Sequence, residues 1–146
     1  MPFVTIIIPY KSNLKYLFLA LKSVLNQSYK NLKLIIVYDD VRKSDLEKIK
    51  IFLKKKKYFR KINIKIIDNK KNFGAGESRN IAIRQSNSKY IAFLDSDDIW
   101  HKNKLKIQID FMEKNNVLFS HTSYNIIDAN NKIISSRLAK KKIIFQ

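Results

Sequence analysis

The chain has 146 residues and a hydrophobic content of 45%, enough for one packed domain and too much for a disordered tail. It has no cysteine, which excludes disulfide frameworks and thiolate metal sites, and no run near the ~20 apolar residues that span a bilayer. Its 30 lysines and arginines against 12 acids give a net charge of +18, which favours polyanionic partners such as nucleic acid, anionic lipid headgroups or phosphorylated substrates.

Phe3 to Pro9 is apolar and β-branched and predicts a buried first strand, ended by Pro9, which cannot donate to a ladder. This N-terminus has no basic n-region and no small-residue cleavage site, so it does not read as a signal peptide, and a cytoplasmic protein is expected. Ser12 or Asn13 is placed to cap a helix whose buried face carries Leu17, Leu21, Val24 and Leu25. After the polar break Asn26–Asn31, Leu32 to Val37 predicts a second strand, ending in Tyr38-Asp39-Asp40. Ser44-Asp-Leu-Glu47 has the pattern of a capping box before a helix from about Asp45 to Lys55. Asn63 to Ile67 predicts a third strand. The segment Asn72 to Asn80 opens a helix carrying Ile81, Ile83 and Arg84. Tyr90 to Leu94 predicts a strand buried on both faces. A helix from about Lys102 to Glu113 follows, with Leu105, Ile109 and Met112 on one face, then a strand over Val117–Ser120. Asn130-Asn131, between two Ile-Ile pairs, predicts a hairpin turn. Strands alternating with helices imply an α/β fold, a mainly parallel sheet with helices on both faces.

The positive charge is mostly lysine, spread along the chain with runs at Lys54–Lys57 and Lys140–Lys142. Diffuse lysine reads as a solvated surface rather than a nucleic-acid reading head, and no nucleic-acid partner is expected. The only two glycines, Gly74 and Gly76, share one four-residue window. That clustering marks a tight turn or a close approach to a ligand.

The chemistry gathers at the predicted strand ends. In a parallel sheet the C-terminal ends share an edge, and ligands of open α/β sheets bind outside it. Pro9 and Tyr10 end the first strand, Asp39 and Asp40 the second, and Asp95, Ser96, Asp97 and Asp98 the strand from Tyr90. Three neighbouring carboxylates repel, and a hard cation bridging them to a phosphate relieves the repulsion. The alternative is an acidic turn capping the next helix, above all for Asp98. On an extended segment, the i, i+2 spacing of Asp95 and Asp97 points both side chains the same way. The N-terminus after Gly74 suits an anion, and Arg79 in the first turn can pair with a phosphate or a base edge. The outline is that of a nucleotide-diphosphate site.

Val4-Thr-Ile-Ile-Ile-Pro9, Ser23 to Asn31, Leu34-Ile-Ile-Val-Tyr-Asp-Asp40, Asn72-Phe-Gly with Ser78-Arg-Asn80, and Tyr90 to Trp100 together resemble family 2 glycosyltransferases of the GT-A fold, a Rossmann-like fold of nucleotide-diphospho-sugar transferases. The resemblance runs from about Val4 to Met112. It implies a nucleotide-sugar donor, a UDP-sugar, and Mn²⁺ or Mg²⁺ held by an Asp-x-Asp pair matching Asp95 and Asp97, with Asp97 the direct ligand. It implies that Asp39 accepts from the uracil ring, that Arg79 lies near the base, and that Pro9 and Tyr10 meet the nucleotide, with Asp95 and Ser96 alongside. It further implies a glycan or lipid-linked acceptor in surface polysaccharide assembly, with the basic surface holding the protein at the inner face of an anionic membrane. The family's Pro-Thr-Tyr-Asn is here Pro9-Tyr10-Lys11-Ser12, and its Asp-Asp-Gly-Ser is Tyr38-Asp39-Asp40-Val41. With the register shifted by one, Asp40 replaces Asp39 as the base contact. The resemblance places the catalytic base of inverting members in an acceptor half beyond Gln146. Asp128, beside the Asn130-Asn131 turn, reads as a turn residue. Residues 1–146 thus read as a donor-binding domain truncated at its C-terminus. A non-catalytic nucleotide-sugar-binding subunit is the alternative, and a basic nucleic-acid-binding domain the weaker third.

Overall fold

The computed structural model describes residues 3–55 and 62–139, in two compact units, Met1–Lys104 and Leu105–Gln146. Lys56, Lys57 and the run Lys140–Lys142 lie outside the described residues.

The first unit runs β1 (Val4–Tyr10), α1 (Leu14–Leu25), β2 (Leu32–Tyr38), α2 (Ser44–Lys55), β3 (Asn63–Asp68), α3 (Gly74–Ile83) and β4 (Tyr90–Phe93). Its strands form one parallel sheet in the order β3-β2-β1-β4. Right-handed crossovers put α1 and α2 on one face, because β1 to β2 to β3 steps one way across the sheet. The step from β3 back to β4 puts α3 on the other face. The packing agrees. Ile7, Ile35 and Val37, all of one side-chain parity, form a buried cluster with Ala82 of α3, flanked by Ile67 and Ile91. The opposite parity, Ile6, Ile8, Leu34 and Ile36, is also fully buried. On that side the stacked rings of Phe18 and Phe52, 4.1 Å between centroids, join α1 to α2. The expected α/β class, a parallel sheet with helices on both faces, is therefore found.

Four details differ from expectation, each for a local reason. Pro9 does not end β1, which continues to Tyr10. The backbone of Phe3 and Ile7 faces β4, where their carbonyls accept from Tyr90 and Leu94. Pro9 has the same parity, and β4 has ended at Phe93 by that level, so its missing N–H has no partner to lose. Asn13 occupies the N-cap of α1 in the left-handed region, φ 70°, without a side-chain cap hydrogen bond. Ser44 is itself the first residue of α2, and Glu47 accepts from Lys50 Nζ at 2.6 Å instead of closing a capping box. β4 is an edge strand, not one buried on both faces: Tyr90, Ile91 and Ala92 are half-buried and Phe93 is exposed.

The second unit contains α4 (Lys104–Asn115), which begins at the last residue of the first unit, and a hairpin of β5 (Tyr124–Ile127) and β6 (Ile133–Arg137). Leu105, Ile109 and Met112 are the buried face of α4, as their spacing predicts. The expected strand over Val117–Ser120 is not formed. Asn116 takes φ 51° and Val117 N–H reaches back to Met112 O at 3.1 Å, a Schellman end to α4 that uses the first residue of the apolar run. Leu118 and Phe119 are then left exposed, at 95% and 79%. The hairpin turn is found. Asp128 Oδ1 accepts from the N–H groups of Asn130 and Lys132 at 2.8 and 2.9 Å, and Asn131 takes φ 64°. Asp128 is a turn residue. No helix among the described residues is long and apolar enough to cross a membrane.

Candidate functional site

The acids are not diffuse. Asp39, Asp40, Asp68, Asp95, Asp97 and Asp98, half of the chain's 12 acids, all sit at or just past the C-terminal ends of the parallel strands. The strand order reverses between β1 and β4, which opens a crevice at that edge. A chain of net charge +18 has concentrated its negative charge at the place where this fold binds ligands.

Asp39 is the most heavily bonded of these groups. It is buried, and each carboxylate oxygen accepts two hydrogen bonds. Oδ1 receives Asn69 Nδ2 at 2.7 Å and Phe73 N–H at 2.9 Å. Oδ2 receives Gly74 N–H at 2.8 Å and Asn72 Nδ2 at 3.1 Å, and the Asn72 amide also donates to Asp39 O at 2.7 Å. Phe73, the N-cap of α3, makes no side-chain cap bond, so Asp39 caps α3 from the end of β2. The start of α3, expected to be free for a phosphate, already holds a carboxylate. About four acceptor positions of the ionised Asp39 carboxylate are engaged by these donors. Gly74 enters this cap at φ 84°, and a Cβ there would meet nothing within 4 Å. The positive φ is a backbone conformation that favours glycine.

Tyr10 is also engaged. Its ring is buried, 5.4 Å from that of Tyr38, and its hydroxyl donates to Asp45 Oδ2 at 2.8 Å. Burial, then the Asp45 hydrogen bond and charge, push the Tyr10 phenol above its ordinary range. Pro9 is buried beside it. Asp40 accepts from Arg42 N–H at 2.9 Å and from its guanidinium at 3.3 Å, which together hold its carboxyl below the usual range. Tyr38 donates its hydroxyl to Arg42 O, and Lys43 bridges Asp68 to the carbonyls of Asp40 and Asn69 at 3.2 and 3.0 Å.

The segment after β4 turns at once. Asp98 N–H bonds Asp95 O at 3.1 Å, with Ser96 and Asp97 at the corners, so the extended geometry expected for Asp95 and Asp97 gives way to a β-turn. Arg79 of α3 reaches across to pair with Asp95. Asp97 and Asp98 are exposed. Although the residue is exposed, partial desolvation of the Asp98 carboxyl by its neighbours, with the charges of Asp95 and Asp97, pushes its proton affinity up. Among the described residues no three acid or imidazole groups are already converged on one point. The donor set is nevertheless all carboxylate oxygen and mutually repelling, which fits a hard divalent cation and not a soft one.

Just beyond, Lys104 Nζ lies 4.2 Å from the centroid of Trp100, the chain's single tryptophan. Burial pushes the Lys104 ammonium down to about 8. The fluorescence of Trp100 is therefore expected to titrate near pH 8, and Lys104→Met to flatten that step. Between about 8 and the ordinary 10.5 the unfolded chain holds a proton that the folded chain has released, so this group adds stability as pH rises through that window. Tyr10 and Tyr38, whose phenols are held protonated beyond their usual range, oppose the trend at its upper end. Thermal melts from pH 7 to 11, on both chains, check the sign.

The sequence matches the family described as Glycosyl transferase family 2 over residues 5–145. The chain belongs to glycosyl transferase family 2. Among similar curated proteins is an uncharacterized glycosyltransferase of Rickettsia bellii, 42% identical over 91% of this chain and 18% of that protein. Another is the Escherichia coli UDP-Glc:alpha-D-GlcNAc-diphosphoundecaprenol beta-1,3-glucosyltransferase WfgD, 38% identical over 97% of this chain and 53% of that protein. The chain thus spans about half or less of these relatives. Among solved structures, S. aureus TarS 1-349 in complex with UDP-GlcNAc superposes with a TM-score of 0.67 at 25% identity, over 78% of this chain and 32% of that one. The sheet is that of a GT-A fold.

In this family 2 chain the structure brings Asp39, Asp40, Arg79 and the Asp95–Asp98 turn to one sheet edge, and it buries Pro9 and Tyr10 beneath that edge. Sequence reasoning did not find the Asp39–Asn69–Asn72 hub or the Tyr10–Asp45 bond. The signal available for the first was the polar Asp68-Asn69 and Asn72-Phe73-Gly74 steps between strand and helix, where donors without a local cap must find a distant acceptor.

Proposed function

We propose that residues 1–146 are the nucleotide-sugar-binding part of a glycosyltransferase that moves a sugar from a UDP-sugar to a glycan or lipid-linked acceptor in surface polysaccharide assembly. The observation that carries this reading is the acidic turn Asp95–Asp98 at the end of β4, beside the strand-order reversal, in a chain of this family. Relatives named for a UDP-glucose donor and a lipid-linked acceptor, and a neighbour solved with UDP-GlcNAc, support the donor and acceptor classes.

Asp97, with Asp95, would hold Mn²⁺ or Mg²⁺, whose chemistry is to neutralise charge on the diphosphate leaving group. Arg79 shares Asp95 with such a cation and supplies a second positive group at the same place. Ser96, at the corner of the turn, offers a hydroxyl and an N–H near the phosphates. Asp40 faces the base from the end of β2. Asp39 fixes the loop that carries Asn72 and Phe73, and Pro9 and Tyr10 form the floor beneath the base. The lysine-rich surface would add attraction to an anionic membrane at the cytoplasmic side.

Calorimetric titration of UDP, with and without Mn²⁺, tests the reading. UDP is expected to bind in the presence of Mn²⁺ and much more weakly without it. No binding under either condition would withdraw the donor site.

A further inference from the structure

The motif Ser23 to Asn31 resembles the family's sequence, yet none of its residues has a part in the site described so far. The structure shows what it touches. Ser23 and Gln27 lie one turn apart at the end of α1, and both are buried, Gln27 completely. Gln27 Nε2 donates to Ser23 O at 3.2 Å and to His101 O at 2.9 Å. Trp100 N–H donates to Ser23 Oγ at 3.2 Å, while that hydroxyl donates to Ala20 O at 2.7 Å. Ser28 N–H donates to Lys102 O at 2.9 Å. Three consecutive residues, Trp100, His101 and Lys102, are therefore tied to the C-terminal end of α1.

The other side of the acidic turn is tied as well. Leu94 is buried and its N–H bonds Ile7 O of β1 at 3.1 Å. Asp95 to Ile99 is a five-residue span between two anchors, one on the central strand and one on α1. Besides the turn bond from Asp98 N–H to Asp95 O and the Arg79–Asp95 pair, its position depends on those anchors, because Asp97 and Asp98 are exposed and do not fix themselves by packing.

We propose that Ser23 and Gln27 are positioning residues that hold the Asp95–Asp98 turn in its cation-binding arrangement. The proposal rests on the donor-site reading, and it extends the site to a helix whose side chains touch neither nucleotide nor metal. Groups that orient metal ligands from behind typically change metal affinity by 10–100-fold when removed.

Trp100 makes the latch observable without any ligand. In Gln27→Leu the His101 carbonyl loses its side-chain donor, and the emission of Trp100 is expected to shift to the red with greater acrylamide quenching. The Mn²⁺-dependent affinity for UDP is expected to fall roughly 10–100-fold. Ser23→Ala, which removes only the acceptor of Trp100 N–H, is expected to move both readouts the same way, and it decides the matter if Gln27→Leu does not fold. Ser28→Ala is the control. Its buried Oγ has no partner among the described residues, and its latch bond is made by the backbone, so both readouts should match the parent chain. If Gln27→Leu and Ser23→Ala keep the parent emission and the parent affinity, the latch is overturned. If the variants alter Trp100 but the parent chain itself binds no UDP, the donor-site reading fails while the latch stands as a structural element.

Discussion

Asp97→Ala is expected to remove the Mn²⁺-dependent part of UDP binding, a loss on the order of a hundredfold or about 3 kcal/mol. The same change should leave the fold intact, because Asp97 is an exposed corner of a turn and packs against nothing that its loss would empty. It should even stabilise the chain slightly. Asp97 is one of the charges that push the Asp98 carboxyl up, so its removal relieves a repulsion that only a cation otherwise relieves. Binding lost while the melting temperature holds or rises is the signature of a group kept for ligand and not for structure. Calorimetry and a thermal melt on the same preparation check both halves, and unchanged affinity would sink the metal assignment.

Asp39→Ala should do the reverse. The change strands the N–H groups of Phe73 and Gly74 and takes one of two acceptors from each of the Asn69 and Asn72 amides. Donors stranded in a buried place cost roughly 1–3 kcal/mol each, and partial solvation brings the total to about 4 kcal/mol. That is a large share of the roughly 5–15 kcal/mol that holds a domain together. Asp39→Asn keeps one acceptor oxygen but turns an NH₂ toward donors, and should fall between. Urea unfolding with an unchanged m-value would measure the loss. A parent-like midpoint for Asp39→Ala would mean that α3 does not depend on this cap. Nucleotide binding should fail in Asp39→Ala only as far as the loop Asn69–Gly74 loosens, so adding a stabilising osmolyte should recover part of it. A direct base contact would not be recovered in that way.

The strands and helices were legible in the sequence because their periodicity is strong. Ile6 to Ile8 and Leu34 to Val37 are continuous apolar runs, and they became the two central strands. The acidic cluster after the Tyr90 strand was legible from composition, but its turn was not, because the i, i+2 spacing of Asp95 and Asp97 reads as extended until Asp98 N–H is seen to close on Asp95 O. What was not legible depends on partners far along the chain. That the Asp39 carboxylate caps α3 is invisible until Asn69, Asn72, Phe73 and Gly74 are seen to converge on it. The partner of the Tyr10 hydroxyl, Asp45, lies 35 positions away and could not be read locally. The end of β1 was misplaced because proline's cost depends on which neighbour its nitrogen faces, and that is set by the length of β4. Val117–Ser120 does not form a strand because the cap of α4 reaches two residues beyond the helix, to Val117.

The reversal of strand order at β1 has a consequence for how such a chain can change over time. The strand order reverses because the connection out of β1 runs over one face of the sheet and the connection into β4 over the other, and that follows from connectivity, not from any side chain at that edge. The location of binding is then inherited with the path of the chain, while the residues lining it are free to drift. Tyr10 and Tyr38 stand at the ends of β1 and β2 with their rings against each other, Tyr10 bonded to Asp45 and Tyr38 to the Arg42 carbonyl, so the ends of these strands are held without any ligand. A new donor specificity could therefore arise on this frame by substitution at a handful of loop positions, with the core of β1 and β2 left untouched.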